Sequence, residues 1–152
     1  MSDHSSTSVP LELSLQLRWG DMDINAHVNN VQFARLFEEA RVRAFSAWFP
    51  GFSDLRRRVS ALVASQTIEF RAPLLYSLEP VTLRVAIARI GRTSYTMALT
   101  LLAPDGTVSA VAETTMVMID AASARPTPIP DDFRAVLEAN LDAAAGLRQR
   151  TG

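Results

Sequence analysis

Between residues 18 and 30 the chain reads Arg-Trp-Gly-Asp-Met-Asp-Ile-Asn-Ala-His-Val-Asn-Asn. Two carboxylates (Asp21, Asp23), three amides (Asn25, Asn29, Asn30) and His27, the only histidine besides His4, fall in this one stretch. A carboxylate can take a proton from water at pH 7 without prior activation. The first turn of a helix leaves backbone N-H groups unpaired, and these can polarise a carbonyl or hold an anion. The stretch lies between an alternating apolar segment and a long amphipathic one, so both ingredients are expected at one strand-to-helix junction. Binding a polarised carbonyl or an anion is what such a junction suits.

The same residues admit plainer roles. Asp21, Asp23, Asn25 and Asn29 are types that hold turns and cap helices, and His27 can either orient a reacting group or pin the loop. The opening Asp-x-Asp-x-Asn imitates a calcium loop, but Ala26 replaces the turn glycine and Gln32 the closing glutamate, so that reading fails. A Ser-His-Asp triad is weakly supported, because His27 would be its only histidine and no Gly-x-Ser-x-Gly elbow exists.

Composition narrows the chemistry further. The chain has no cysteine, and all 15 basic residues are arginine. Thiol nucleophiles, lysine Schiff bases and Cys-rich zinc sites are thereby excluded, and no metal site or bound cofactor is expected. A net charge of -1 argues against nucleic acid as a partner. With 152 residues and 48% hydrophobic content, one domain with a substantial core is expected. Residues 1–10 are Ser/Thr-rich without the character of a signal peptide, and read as a disordered tail before a single domain over 11–150. No segment approaches the roughly 20 apolar residues of a membrane span, so no membrane partner is expected and the location reads as cytoplasmic.

The elements that must position the junction are legible in the hydrophobic periodicity. Leu11, Leu13, Leu15, Leu17 and Trp19 alternate with polar residues, which predicts a strand from Leu11 to Trp19. Phe33, Phe37, Ala40, Ala44 and Trp48 recur at helical spacing, which predicts a helix over Val28 to Phe49, stopped at Pro50-Gly51. An Arg-rich connection (Arg56, Arg57, Arg58) leads to four predicted strands, Ser60 to Arg71, Pro80 to Ile90, Ser94 to Ala103 and Thr107 to Asp120, with a hairpin at Pro104-Asp105-Gly106. A last helix is predicted over Asp131 to Arg150, with Phe133, Leu137 and Leu141 on one face. One long helix followed by an antiparallel sheet is an α+β layout.

The order and spacing of several motifs now become specific. Asp21-x-Asp23-x-x-Ala26-His27-Val28-Asn29-Asn30, then Phe33 and Phe37-Glu38-Glu39-Ala40-Arg41, resembles the hotdog-fold acyl-CoA thioesterases of the 4-hydroxybenzoyl-CoA thioesterase-like family. Ile68-Glu69-Phe70-Arg71-x-Pro73, Ile90-Gly91-Arg92-x-Ser94-Tyr95, Asp105-Gly106 and Met116-Val117-Met118-Ile119-Asp120 extend the resemblance over residues 13 to 138. It implies a hotdog fold, a long central helix wrapped by a five-stranded antiparallel sheet with a C-terminal helix added.

The resemblance also implies roles. Asp23 matches the residue that attacks the thioester carbonyl or activates water, and the N-H of Asn30 stands, by position, where it can polarise that carbonyl. Asn25 and His27 match the Asp-x-Asn-x-His-Val-Asn-Asn loop of plant acyl-carrier-protein thioesterases, whose side chains surround the carbonyl; the glutamate those enzymes add on the next strand falls at Pro73. The expected site is therefore Asp23, His27 and Asn30 as catalytic residues, with Asn25, Asn29 and Arg92 on the substrate. Arg56 to Arg58, Arg89 and Arg92 are candidates for the phosphates of coenzyme A, and Arg92 aligns with a basic, coenzyme-contacting loop of the family.

The expected activity is hydrolysis of an acyl-CoA to free acid and coenzyme A. The alternatives are a silent hotdog protein that binds acyl-CoA or an acyl carrier protein, against which the retained Asp23 argues, and an enoyl-CoA hydratase, for which a different Asp/His arrangement is expected. Open sheet edges and the family pattern point to a homodimer or homotetramer with active sites at subunit boundaries.

Overall fold

A computed structural model describes residues 10–50 and 52–142. The expected tail, apart from Pro10, lies outside the described residues, as does the stretch 143–150 of the expected last helix. Five strands, β1 (Leu11–Leu15), β2 (Val59–Phe70), β3 (Val81–Ile90), β4 (Ser94–Leu102) and β5 (Val108–Asp120), form one sheet in the order β1-β3-β4-β5-β2, every pair antiparallel. The helix α1 (Asn30–Trp48) lies in its concave face, which is the hotdog arrangement.

The apolar stripe of α1 determines how it seats. Phe33, Leu36, Phe37, Ala40, Ala44 and Phe45 are all buried, spaced by three and four residues so that they share one face. Alternate residues of the central strands meet them, such as Val81, Leu83, Val85 and Ile87 of β3 and Tyr95, Met97, Leu99 and Leu101 of β4. Ala40 and Ala44 keep the middle of the helix close to the sheet, while Phe45 meets Tyr95 edge to face at its far end.

Three elements differ from the sequence reading. β1 ends at Leu15 rather than Trp19, because its partner β3 begins at Val81 opposite Leu15, and the residue before it, Pro80, has no N-H to extend the ladder. Trp19–Asp21 forms a 3-10 turn instead, carrying the chain from the sheet edge into the polar loop. The Arg-rich connection is the end of a short helix, α2 (Phe52–Arg58), with Asp54 in its first turn and Arg56 to Arg58 in its last, charges that complement the helix dipole. Leu55 of α2 is buried in the core.

The C-terminal helix α3 (Asp131–Ala139) is shorter than expected. Asn140 stops it, its side-chain amide bonding the carbonyl of Val136 while its own carbonyl accepts the N-H of Ile87. The chain then runs beside the irregularity in β3 between Ile87 and Arg89, where the Asp142 N-H donates to the Ile87 carbonyl. Leu141 consequently pairs along a strand rather than continuing the face of Phe133 and Leu137. Among the described residues no helix is long and apolar enough to cross a membrane.

The close seating of α1 makes Ala40 the position least able to grow. Ala40→Leu should lower the unfolding free energy by about 1–3 kcal/mol through overpacking, whereas Ala47→Leu on the exposed side should change it by less than about 0.5 kcal/mol. Chemical denaturation of the two variants checks this.

Candidate functional site

The polar loop is held in place by Asp21. Its carboxylate is fully buried and accepts from the Arg18 backbone N-H at 2.8 Å, the Arg18 Nε at 3.0 Å and an Arg35 Nη at 2.8 Å. Gln32 Oε1 accepts from the Arg35 Nε at 2.7 Å and from an Arg18 Nη at 3.2 Å, so one amide ties the two guanidinium groups together. Burial by itself raises the Asp21 pKa; the hydrogen bonds from Arg18 and the charges of Arg35 and Arg18 outweigh it and leave the group below its ordinary value. The Asp21 backbone carbonyl also accepts the Asn29 N-H at 2.8 Å, which joins the start of the loop to the first residues of α1.

Inside that frame the loop folds back on itself. The Asp23 N-H donates to the His27 carbonyl at 2.9 Å, the Ala26 N-H donates to the Asp23 carbonyl at 3.0 Å, and the Val28 N-H reaches Leu74 at 2.7 Å. Ala26 sits at φ 62, the left-handed region that glycine occupies at least cost. Ala26 therefore holds the turn at a conformational cost that glycine would not bear.

The structure gathers three of the expected residues. Asp23, His27 and Asn30 line one open cavity of about 470 Å³ together with Phe33, Phe70 and Pro73. Phe33 and Phe70 meet edge to face with ring centres 5.2 Å apart, joining α1 to the end of β2 in an apolar wall. Asp23 Oδ1 accepts the Asn25 N-H at 2.8 Å, and among the described residues no hydrogen bond is made to its Oδ2. Asn29 caps α1 by accepting the Val31 N-H at 3.0 Å, which leaves the Asn30 N-H without a partner among the described residues.

The other expected residues lie elsewhere. Asn29 is occupied as the helix cap, and Asn25 is exposed and supports Asp23 through its backbone. Arg92 lies at the β3–β4 turn, where its carbonyl accepts the Ile129 N-H. That turn leads into Ser94, which pairs with Val117, while Phe70 at the cavity pairs with Ala110. Arg92 and Asp23 are thus at opposite ends of a nine-residue strand, about 30 Å in length. Pro73 does face the cavity, so an acid at this position would reach the site, and here none is present.

Arg71 was not singled out by the sequence reading and also lines the cavity, its Nε held by Glu69 at 3.0 Å. Its place directly after β2, three residues beyond Ile68 in a motif already noted, was the available signal. Among the described residues no group of three or more His, Asp or Glu side chains is arranged to hold a metal ion.

The model of the Thioesterase-like superfamily matches residues 17–137, and the chain belongs to that superfamily. Solved structures agree. The PA5185 protein from Pseudomonas aeruginosa is 27% identical with a TM-score of 0.76, covering 87% of this chain and 92% of that one. A protein described as a predicted thioesterase from Bacillus stearothermophilus is 27% identical with a TM-score of 0.76, over 86% and 96% of the two chains. A Thermus thermophilus thioesterase, complexed with coenzyme A and zinc, is 26% identical with a TM-score of 0.72, over 84% and 92%. Among curated proteins no significant match is found.

The frame around Asp21 predicts a separation of stability from chemistry. Asp21→Ala should cost about 2–3 kcal/mol, since it removes charge-assisted hydrogen bonds and leaves their donors unpaired. Because the folded pKa is depressed, the stabilisation is full above the unfolded value near 4 and is lost as pH falls through the folded value. Asp21→Asn should therefore show a shallower acid limb below about pH 4 in thermal melts than the parent protein.

Proposed function

We propose that this protein hydrolyses acyl-CoA thioesters, with Asp23 as general base or nucleophile and the Asn30 N-H polarising the carbonyl. The observation that carries the reading is the meeting of Asp23, His27 and the unpaired Asn30 N-H in one cavity with an apolar wall. Membership of the superfamily and the coenzyme A bound to the Thermus thermophilus relative support it.

In the general-base route, Asp23 takes a proton from water, the oxygen adds to the thioester carbonyl, and negative charge develops where the Asn30 N-H and the positive end of α1 stabilise it. In the nucleophilic route Asp23 attacks the carbonyl itself and water hydrolyses the resulting anhydride. In both, the carbon–sulfur bond breaks and coenzyme A leaves as the thiol after protonation. The side chain of His27, on the same cavity, would orient substrate or water in this reading. Neither route calls for a cofactor beyond the coenzyme A of the substrate.

The assembly reading follows from β2. It is a twelve-residue edge strand with Leu62, Val63 and Phe70 each about half exposed, an open edge of the kind that proteins normally pair or cover. We propose that β2 pairs with its copy about a two-fold axis, which aligns the Phe70 end of one strand with the Val59 end of the other. Arg92, at the far end of its own chain, would then approach the Asp23 cavity of the neighbouring subunit, where its guanidinium suits a coenzyme phosphate.

Free-thiol release from a panel of acyl-CoAs tests the activity, with enoyl-CoA hydration run in parallel; binding without thiol release would instead assign a non-catalytic acyl-CoA binder. Asp23→Asn should keep acyl-CoA binding and lower turnover by about a hundredfold or more. His27→Ala should lower turnover with little change in melting temperature, and a loss of stability at normal specific activity would make the residue a loop pin. Mixing Asp23→Asn chains with Arg92→Ala chains should restore part of the activity through mixed dimers. A fully active monomer by light scattering would remove the shared-site arrangement.

A further inference from the structure

A second cavity, of about 440 Å³, lies between α1, α2 and the first half of β2. Its walls are mostly apolar, with Phe45, Tyr95, Met97, Met116 and Phe133 among them. Into this lining the structure puts one deeply buried cation, Arg41, whose residue is only 7% exposed. Seven other arginines, Arg18, Arg35, Arg43, Arg58, Arg71, Arg84 and Arg89, each reach a carboxylate within 4.0 Å. Arg41 has no carboxylate within that distance among the described residues. Its guanidinium makes one long hydrogen bond, from Nη1 to Gln66 Oε1 at 3.4 Å.

A guanidinium carries five N-H donors, and burying most of them unused is costly. Burial already pushes the Arg41 pKa down, against the opposing charge of Glu38, on the cavity rim, and the influence of Tyr95. The Tyr95 hydroxyl, whose pKa burial drives well above its ordinary value, stays protonated and can donate beside the guanidinium. The cavity therefore offers a concentrated set of donors with too few acceptors.

Both cavities lie along one seam. Asn30 and Arg41 are eleven residues apart on α1, three helical turns and about 16 Å, so they share a stripe of the helix. The Arg41 side chain leans back toward the helix N-terminus. On the facing strand, Phe70 meets Phe33 edge to face at one cavity, and Gln66, four residues earlier on β2, bonds the Arg41 that lines the other.

We propose that the cavity around Arg41 receives the far end of the acyl group and selects acyl chains that end in a carboxylate, the ω-carboxyacyl thioesters. This rests on the thioesterase reading of the Asp23 site. A carboxylate is the acceptor that matches a guanidinium fork in both charge and shape, while the apolar walls and methionine side chains accommodate the methylenes between it and the thioester.

The test compares straight-chain acyl-CoAs with their ω-carboxy counterparts, from adipoyl to sebacoyl, in the parent protein and in Arg41→Met. The ω-carboxy member of a pair should be favoured by about tenfold or more in kcat/KM, chiefly through KM. Arg41→Met should erase that preference, lowering kcat/KM on the ω-carboxy members by about tenfold or more relative to their methyl-ended counterparts. Preference for the methyl-ended member in the parent protein, or an equal loss on both members together with a lower Tm, would overturn the proposal. Calorimetric titration with free sebacate and decanoate gives a readout independent of turnover. Selective, Arg41-dependent sebacate binding in a protein that hydrolyses no acyl-CoA would retain the pocket and remove the thioesterase reading. Hydrolysis without carboxylate preference would remove the pocket alone.

Discussion

The buried carboxylate of Asp21 is the interaction on which the site depends. Arg18 from the chain entering the loop and Arg35 from the second turn of α1 meet on it, and its backbone carbonyl holds the Asn29 N-H. That one group fixes the loop to the helix, so Asn29 can cap α1 and the Asn30 N-H can face the cavity beside Asp23. The pair of aspartates two residues apart thus divides its work. Asp21 is satisfied on both oxygens and out of solvent, whereas Asp23 keeps an oxygen available in the cavity.

The helix supplies more than a terminus. Its stripe of Phe33, Phe37, Ala40 and Ala44 presses into the sheet, and the depth of that seating brings β2 alongside, where Phe70 and Gln66 meet Phe33 and Arg41. The proposed reactive end and the proposed specificity end are therefore positioned by the same packing that builds the core.

Much of this was legible in the sequence because local signals and tertiary structure agree. The alternation in β3, β4 and β5 and the three-four spacing in α1 fixed those elements to within a residue or two, and the loop motif located Asp23, His27 and Asn30. What could not be read depends on distant partners. The end of β1 is set by Pro80, across the sheet, and the stop of α3 by the Asn140 carbonyl, which accepts the Ile87 N-H of β3. Asn29 and Asn25 share the residue type of a substrate contact and of a turn, and only the bonds they make distinguish the two. Arg41 ends the Phe37-Glu38-Glu39-Ala40-Arg41 motif in sequence; its burial, without a carboxylate partner among the described residues, emerges only when β2 folds over it.

The most direct measurement is a crystal structure of the Asp23→Asn protein with an intact acyl-CoA bound. The account predicts the thioester carbonyl oxygen about 3 Å from the Asn30 N-H, with the side chain of residue 23 against the carbonyl carbon or a water beside it. A thioester bound away from the loop between Asp21 and Asn30 would contradict it.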